Sequence, residues 1–478
     1  MAESFTTTLT GRIMSFLIRF FSIVIFCFCV SVLHAQKRQQ HRLHISSNGR
    51  YFINEKGEPF FWLGDTGWLL FSKLTREETE QYLENRKKKG FNVIQVMVLH
   101  DVAEANVYDD SASVNKIVSQ PITTPGNSFT DATQYDYWDH VDFVIKLAAQ
   151  KGIYMALVPI WGTNVKNGWV KKTDAKKYAS FLANRYKNHW NIIWLNGGDI
   201  KGSDSTNTWK LIGNTINAID QNHLISFHPF GRTTSSTWFH NEPWLDFNMF
   251  QSGHRYYDQD TAATDHRFGP DNYKFVALDY NQKPIKPTLD GEPSYEHIPY
   301  GLHDTTKPRW NDNDIRRYAY WEVLAGGAGF TYGHNSVMQM HRPDQNVKPD
   351  YGSNQYWFDA INDPGASQMI YLKKLMLSWP YFERVPDQSL INGENGERYD
   401  YIAATRGKDY AFVYTYNGRN FKINMGKIRG EQVRAYWYNP RTGKGQVIGK
   451  FENKGVVEFN PPGEKKDGND WVLILVKI

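Results

Sequence analysis

Two acidic motifs in this 478-residue chain could do chemistry: Leu195-Asn196-Gly197-Gly198-Asp199 and Leu289-Asp290-Gly291-Glu292-Pro293-Ser294-Tyr295-Glu296. Each follows a short apolar, β-branched run that reads as a strand, and each carries a carboxylate at a glycine-rich turn. Asp199 and Glu292 stand 93 residues apart, about the span of three βα units of roughly 30 residues. Two carboxylates at the C-terminal ends of two barrel strands are what glycosidic bond cleavage needs. One donates a proton, and the other attacks or activates water. The second motif holds two competitors. Asp290 lies two residues before Glu292, on the same side of an extended strand, and Glu296 follows Pro293.

The flanking pattern predicts the frame. Residues 43–58 read as a hairpin turning on Asn48-Gly49. Strands are expected over 60–63, 93–99, 154–160, 192–195, 224–227, 247–250, 287–289 and 330–332. Helices are expected over 75–89, 137–150, 174–186, 208–219, 314–324 and 367–378, the first with a capping box of Thr75 and Glu78. This alternation fits a (β/α)8 barrel over 36–380. The polar segment 101–135, with Pro121 and Pro125, either overhangs the active-site face or is a surface insertion without a role. Beyond residue 381 seven short strands follow without a helix (401–404, 410–416, 421–423, 433–438, 445–448, 456–459 and 471–476). They predict a small all-β sandwich over 381–478. It is read as packing against the barrel, with Trp437 and Tyr438 in its core.

In such a barrel the strand ends share one pocket. That nominates Asp65 and Trp68 after strand one, His100 after strand two and Trp161 after strand three. Asn196 and Asp199 end strand four, His228 strand five, Gln251 and His254 strand six. Glu292 and Tyr295 follow strand seven, and Tyr332 ends strand eight. Trp68 and Trp161 suit a sugar face; the polar members suit hydroxyls. Each has a plainer reading: Asp65 as a cap or turn residue, the tryptophans as core, and His100, His228, His254 and His334 as buried and satisfied. No pair of these histidines has the i, i+4 spacing of a zinc motif, so no metal or cofactor is expected.

The formal net charge of +5 is small and dispersed, which argues against nucleic acid as a partner. Aromatic residues make up 15% of the chain, with 16 Trp and 28 Tyr, suiting carbohydrate faces and large cores alike. Arg12 and Arg19 precede an apolar run over 20–32, and Leu33-His34-Ala35 offers a cleavage site. Residues 1–35 therefore read as a signal peptide, with Met14 as an alternative start. A run of 13 residues is short for a membrane anchor, so no stable membrane insertion is expected. Cys27 and Cys29 both fall inside it. The mature chain would have no disulfide, no thiolate nucleophile and no cysteine metal site. Losing Arg12, Arg19 and Glu3 would leave it at +4. A secreted or periplasmic protein of a Gram-negative bacterium is the expectation.

Four motifs carry a family resemblance: Gly64-Asp65-Thr66-Gly67-Trp68, Trp194-Leu195-Asn196-Gly197-Gly198-Asp199, Gly291-Glu292-Pro293-Ser294-Tyr295-Glu296 and Gly326-Gly327-Ala328-Gly329-Phe330-Thr331-Tyr332-Gly333. They resemble the apiosidase-like proteins, family 140 of the glycoside hydrolases, over residues 43–478. The C-terminal part resembles the "collagen-binding" module common in that family, although nothing in the sequence argues for collagen. The resemblance implies a barrel of the large retaining-glycosidase type, with the acid/base after strand four, matched by Asp199, and the second carboxylate after strand seven, matched by Glu292. Many related barrels place Glu after Asn as the acid/base. Here Asp follows Gly-Gly, so either the side chain sits closer to the glycosidic oxygen or the backbone bulges. The resemblance also implies an oligosaccharide substrate with apiose linkages, in the side chains of the pectin rhamnogalacturonan II, and a Bacteroides-like polysaccharide-degrading source. The alternatives are a catalytically inactive carbohydrate-binding barrel and a matrix-binding adhesin resting on the terminal sandwich.

Overall fold

The computed structural model describes residues 42–261, 265–343 and 348–478. The proposed signal segment, with both cysteines, lies outside them. Eight strands build the barrel: β1 Trp62–Thr66, β2 Val93–Met97, β3 Tyr154–Val158, β4 Ile192–Ile200, β5 Ile225–Pro229, β6 Asn248–Gln251, β7 Thr288–Asp290 and β8 Gly329–Tyr332. Six of them form one parallel sheet in the order β8-β1-β2-β3-β4-β5, and β6 and β7 form a second parallel pair. Two seams close the ring. At the first, the Asp246 amide donates to the Ile225 carbonyl (2.8 Å) and the Ser226 hydroxyl to the Phe247 carbonyl (2.6 Å). At the second, the Ala328 amide donates to the Thr288 carbonyl (2.9 Å).

The helices after these strands are α1 Arg76–Lys88, α2 Tyr137–Gln150, α3 Lys172–Tyr186, α4 Thr206–Ile219, the short α5 Ser236–Phe239, α6 Tyr273–Tyr280, α7 Asp312–Leu324 and α8 Pro364–Leu377. The Thr75–Glu78 capping box forms as the sequence predicts, and Asp136 and Asn311 cap α2 and α7 in the same way. Helices α5 and α6 were not foreseen; they are short, and α6 has no side-chain cap.

Strand one differs from expectation in a way that matters. The hairpin 43–58 forms, pairing His44–Ile45 with Phe52–Ile53, and Pro59–Phe60 joins it as a third strand. The barrel strand therefore starts at Trp62 and reaches Thr66, which puts Asp65 inside it. Side chains alternate along a strand. Trp62 points into the barrel, where its indole N–H donates to Thr331 (3.0 Å), so Asp65 points outward into the helix layer. There its carboxylate pairs with Arg86 of α1 at 2.5 Å and accepts from the Tyr82 hydroxyl at 2.5 Å, with no exposure. The segment 101–135 folds down onto α2, where the Trp138 indole donates to the Ala112 carbonyl (3.0 Å).

The C-terminal strands all form: β9 Ile402–Arg406, β10 Tyr410–Thr415, β11 Phe421–Asn424, β12 Gln432–Asn439, β13 Lys444–Glu452, β14 Val456–Phe459 and β15 Trp471–Lys477. The large antiparallel sheet runs β9-β10-β15-β12-β13, with Val385–Pro386 on its edge; β11 and β14 belong to a smaller sheet. One face of the large sheet (Ala411, Val413, Trp437, Leu473) packs on the smaller sheet. The other (Phe412, Tyr414, Tyr438, Val472) joins the barrel's own core. Covered on both faces, β10 and β15 are apolar almost throughout, unlike half-exposed strands. Trp437 and Tyr438 are buried as read.

Asp65→Asn should cost about 3–5 kcal/mol of stability, because Arg86 would be left as a buried charge without its counterion. A urea midpoint that is unchanged while KM rises would instead return Asp65 to the substrate site.

Candidate active site

Asp199 owes its position to a bulge. The pairing of β4 with β5 slips between Gly197 and Ile200, and three successive residues take positive φ: Gly197 (93°), Gly198 (102°) and Asp199 (45°). A side chain at 197 would stand 2.7 Å from the His228 carbonyl, and one at 198 would stand 2.7 Å from the Trp161 ring. Only glycine serves at both. The backbone thus bulges, the second of the two ways in which an aspartate could replace the longer glutamate.

His228, at the end of β5, holds the bulge. Its Nδ1 accepts the Asp199 amide (3.2 Å), and its Nε2 lies 3.4 Å from Glu292 Oε2. Burial pushes His228 down to about 3, so the ring is neutral. The hydrogen-bond network places its one proton on Nε2. His254, after β6, repeats the arrangement. Its Nδ1 accepts the Tyr295 amide (3.4 Å) and its Nε2 faces Glu292 Oε1 at 3.1 Å. Burial pushes it also to about 3. Two neutral imidazoles therefore flank Glu292: His254 is hydrogen-bonded to one oxygen, and the His228 Nε2 lies near the other without hydrogen-bond geometry.

Glu292 follows a bend after β7. Burial pushes it up to about 8, opposed by a hydrogen bond with Tyr295. Tyr295 in turn accepts from the Trp68 indole (3.1 Å). Asp199 is pushed up to about 7, first by burial and then by the charge of Glu292; His254, Gln251 and the Gly231 amide oppose this. The two carboxyls face one cavity of about 330 Å³, at the small end of ligand pockets.

Of the nominated residues, Trp68, Trp161 and His100 line this cavity, as do Gln251, His254 and Tyr295 beside the two carboxylates. Four do not. Asp65 is the buried partner of Arg86, as described. Asn196 points outward from β4, its amide donating to the Trp209 carbonyl of α4 (2.8 Å). Tyr332 points outward from β8 and donates to Glu296 (2.6 Å). His228 lies beneath the floor, under both carboxylates. The expectation that these four hold substrate hydroxyls is corrected, for Asp65, Asn196 and Tyr332 because a strand end sends alternate residues to the pocket and to the helix layer, and for His228 because its ring is fully buried behind the pocket lining. The two competitors fall with them. Asp290 turns outward to Ser252 and Asn272. Glu296 accepts from Tyr332 and the Gly365 amide.

Several pocket residues were not foreseen. Arg232, Arg255, His303, Gln339 and Tyr351 come from long loops after β5 to β8, where no strand end marks them. Gln95 had a signal, as the one polar residue within the apolar β2. Its amide crosses the barrel to the Gly291 carbonyl (2.7 Å) and steadies the turn before Glu292. Among the described residues one cluster could in principle hold a metal: His297, His334 and Asp363, with ligand atoms within 4.8 Å of one another. His334 Nδ1 accepts the Ser336 amide (3.0 Å), so its proton is on Nε2, facing Asp363 at 3.0 Å. That nitrogen is already a donor, and the cluster reads as a hydrogen-bonded support.

Residues 46–383 match the family model described as "Apiosidase-like, catalytic domain", and residues 385–476 match "Putative collagen-binding domain of a collagenase". A solved structure titled "Glycoside hydrolase" is 50% identical, with a TM-score of 0.86, covering 91% of this chain and 97% of its own. A glycoside hydrolase family 5 structure from Bacteroides vulgatus is 47% identical, with a TM-score of 0.85, covering 91% and 93%. A structure titled "putative glycoside hydrolase" from the same organism is 13% identical at a TM-score of 0.64, covering 92% and 83%, a likeness of fold alone. No curated protein matches. With two converging carboxylates in the barrel mouth and a family model spanning most of its length, the chain belongs to the apiosidase-like glycoside hydrolases.

Proposed function

We infer that this glycoside hydrolase is secreted and cleaves apiosidic linkages in rhamnogalacturonan II side chains, with Asp199 as general acid and Glu292 as nucleophile or base. The observation that carries the roles is the unequal surround of the two carboxyls. Glu292 faces the His254 imidazole at 3.1 Å and hydrogen-bonds Tyr295, contacts that favour its charged form. Burial raises both carboxyls, Glu292 to about 8 and Asp199 to about 7, so that the pair holds one proton between them. Asp199 stands on the bulge, raised by burial and by the charge of Glu292, and carries the shared proton when it acts as general acid. The substrate is supported by the family model alone. Trp68 and Trp161, whose ring centroids are 5.3 Å apart, form an aromatic wall for a sugar face. Gln251, His254 and His100 supply polar contacts for hydroxyls.

The direct test is product release from rhamnogalacturonan II side-chain oligosaccharides. Wild type should release a product with apiose at its new reducing end. Glu292→Gln and Asp199→Asn should each lose at least about 10³-fold in kcat while remaining folded, the scale set by loss of an acid/base or nucleophilic group. Near-normal turnover by Glu292→Gln would sink the role given to it.

The two carboxyls should titrate as a pair sharing one proton. kcat/KM should be bell-shaped, falling below about 7 as the pair gains a second proton and above about 8 as it loses its only one. The same shift has a stability sign. A carboxyl whose folded value is raised costs stability once the unfolded chain ionises, and the cost is full above the folded value. Glu292→Gln should therefore melt higher than wild type at pH 9 and at the same temperature at pH 4. Equal melting at both pH values would show that the fold does not raise Glu292.

A further inference from the structure

We propose that the catalytic pocket continues into a groove built jointly by the barrel and the C-terminal unit, and that this groove binds the part of an oligosaccharide lying beyond the scissile bond. The proposal rests on the glycoside hydrolase assignment and not on apiose. A cavity of about 400 Å³ lies at the junction, lined by Tyr256 and Tyr257 of the barrel and by Tyr399, Asn417 and Lys465 of the C-terminal unit.

One segment lines both the pocket and the groove, and a second, which lines the pocket, packs on the first. In the first, His254 bears on Glu292 and Arg255 lines the catalytic pocket; the next two residues, Tyr256 and Tyr257, line the groove. In the second, Leu302 and His303 line the pocket, while Tyr300 stacks on Tyr256 with ring centroids 5.1 Å apart and planes 2° apart. The Gly301 amide ties the segments together by donating to the His254 carbonyl (2.9 Å). Tyr399 closes the groove from the C-terminal side, its ring centroid 5.9 Å from that of Tyr257.

The chemistry suits a saccharide. Tyrosine offers an apolar ring and a polar tip, matching the C–H face and the hydroxyls of a sugar. Two guanidinium groups lie along the path. Arg255 is at the pocket, and Arg398 lies over the Tyr257 ring at 4.7 Å. Among the described residues neither guanidinium has a salt bridge or hydrogen bond. Guanidinium only donates, so both are free to meet oxygen acceptors of a bound chain. The groove also holds Glu397, Asp400 and Asp467, with Lys465 paired to Asp400 at 2.8 Å. Its mixed charge fits hydroxyl recognition rather than capture of an anion.

The test compares Arg398→Ala and Tyr399→Ala with wild type on intact rhamnogalacturonan II and on the shortest side-chain fragment that wild type cleaves. Both variants should raise KM on the polymer about tenfold, equivalent to about 1.4 kcal/mol, with kcat unchanged and the fragment's kinetics within about twofold of wild type. Equal losses on both substrates, or no loss on either, would overturn the groove. Arg317 packs on the Tyr399 ring at 4.9 Å, so Tyr399→Ala could fail by unfolding; the exposed Arg398 keeps the comparison interpretable. Absence of wild-type turnover on both substrates defeats the pectin reading instead. The groove is then judged by calorimetric titration of Glu292→Gln protein, with and without Arg398→Ala, against plant and host oligosaccharides longer than a disaccharide. Equal affinities of the two proteins, or no binder at all, would overturn it.

Discussion

The site depends on one neutral imidazole. His228 has to accept at Nδ1, where the Asp199 amide comes, which leaves its proton on Nε2, 3.4 Å from Glu292. An imidazolium has no acceptor and could not hold the bulge. Burial keeps the ring neutral, and aromatic walls supply that burial, with Trp68 edge-on at 5.2 Å and Trp161 at 6.0 Å. The two glycines before Asp199 then follow as a requirement. They let β4 leave its register and bring the aspartyl amide over the His228 ring, where any side chain at 197 would collide with the His228 carbonyl. The left-handed Asp199 is held in place by this surround, as strained backbone at functional sites usually is.

Glu292 is fixed through its backbone as firmly as through its carboxyl. Its amide donates to Asp290 (3.3 Å), its carbonyl accepts the Gly253 amide (3.0 Å), and the Gly291 carbonyl before it accepts Gln95 from across the barrel. Asp290 thus works from behind the wall. One of its oxygens takes the amides of both Ser252 and Glu292, and this joins the end of β6, which leads to His254, to the end of β7. The carboxylate that competes with Glu292 in the sequence is the one that positions it. Holding such a group without exposure raises it to about 7, by burial against hydrogen bonds from Ser252 and Asn272. Rigid placement of reacting groups carries that kind of energetic cost.

The long periodic elements were legible in the sequence. Six helices fall where apolar spacing and caps put them, and so do all seven C-terminal strands, because each is long enough for its period to dominate. The site was legible at Asp199, Glu292, Trp68, Trp161, Gln251, His254 and Tyr295. It was misread at Asp65, Asn196 and Tyr332, where the strand end was found but not which face each residue took. The period of two says which residues share a face but not which face looks inward, and in β1, which runs on to Thr66, Asp65 lies within the strand rather than beyond its end. His228 was found with the wrong role, since a sequence does not distinguish a pocket wall from its floor. Arg232, Arg255 and Tyr351 lay in loops with no periodicity to place them.

Helix α7 explains why the C-terminal unit belongs to the barrel's architecture. From Asp314 to Leu324 every residue is buried, a pattern for a helix enclosed on all sides rather than one at a surface. Its outer face carries Arg316, which meets Asp470 of the C-terminal unit at 2.9 Å with neither side chain exposed, and Tyr320, whose ring stacks on Tyr414 at 4.8 Å. Its inner face touches the Glu292 motif: Tyr318 is hydrogen-bonded to Ser294 (2.9 Å), and Glu322 accepts the Asp290 amide (2.6 Å). Without the C-terminal sheet Arg316 would keep Asp312 but lose its fully buried partner Asp470, and an aromatic face would meet water. Both costs would fall on the helix that supports the carboxylate strand. The two units share one continuous core, and the segment that places Glu292 is packed from within by the barrel and, through α7, from outside by the sheet.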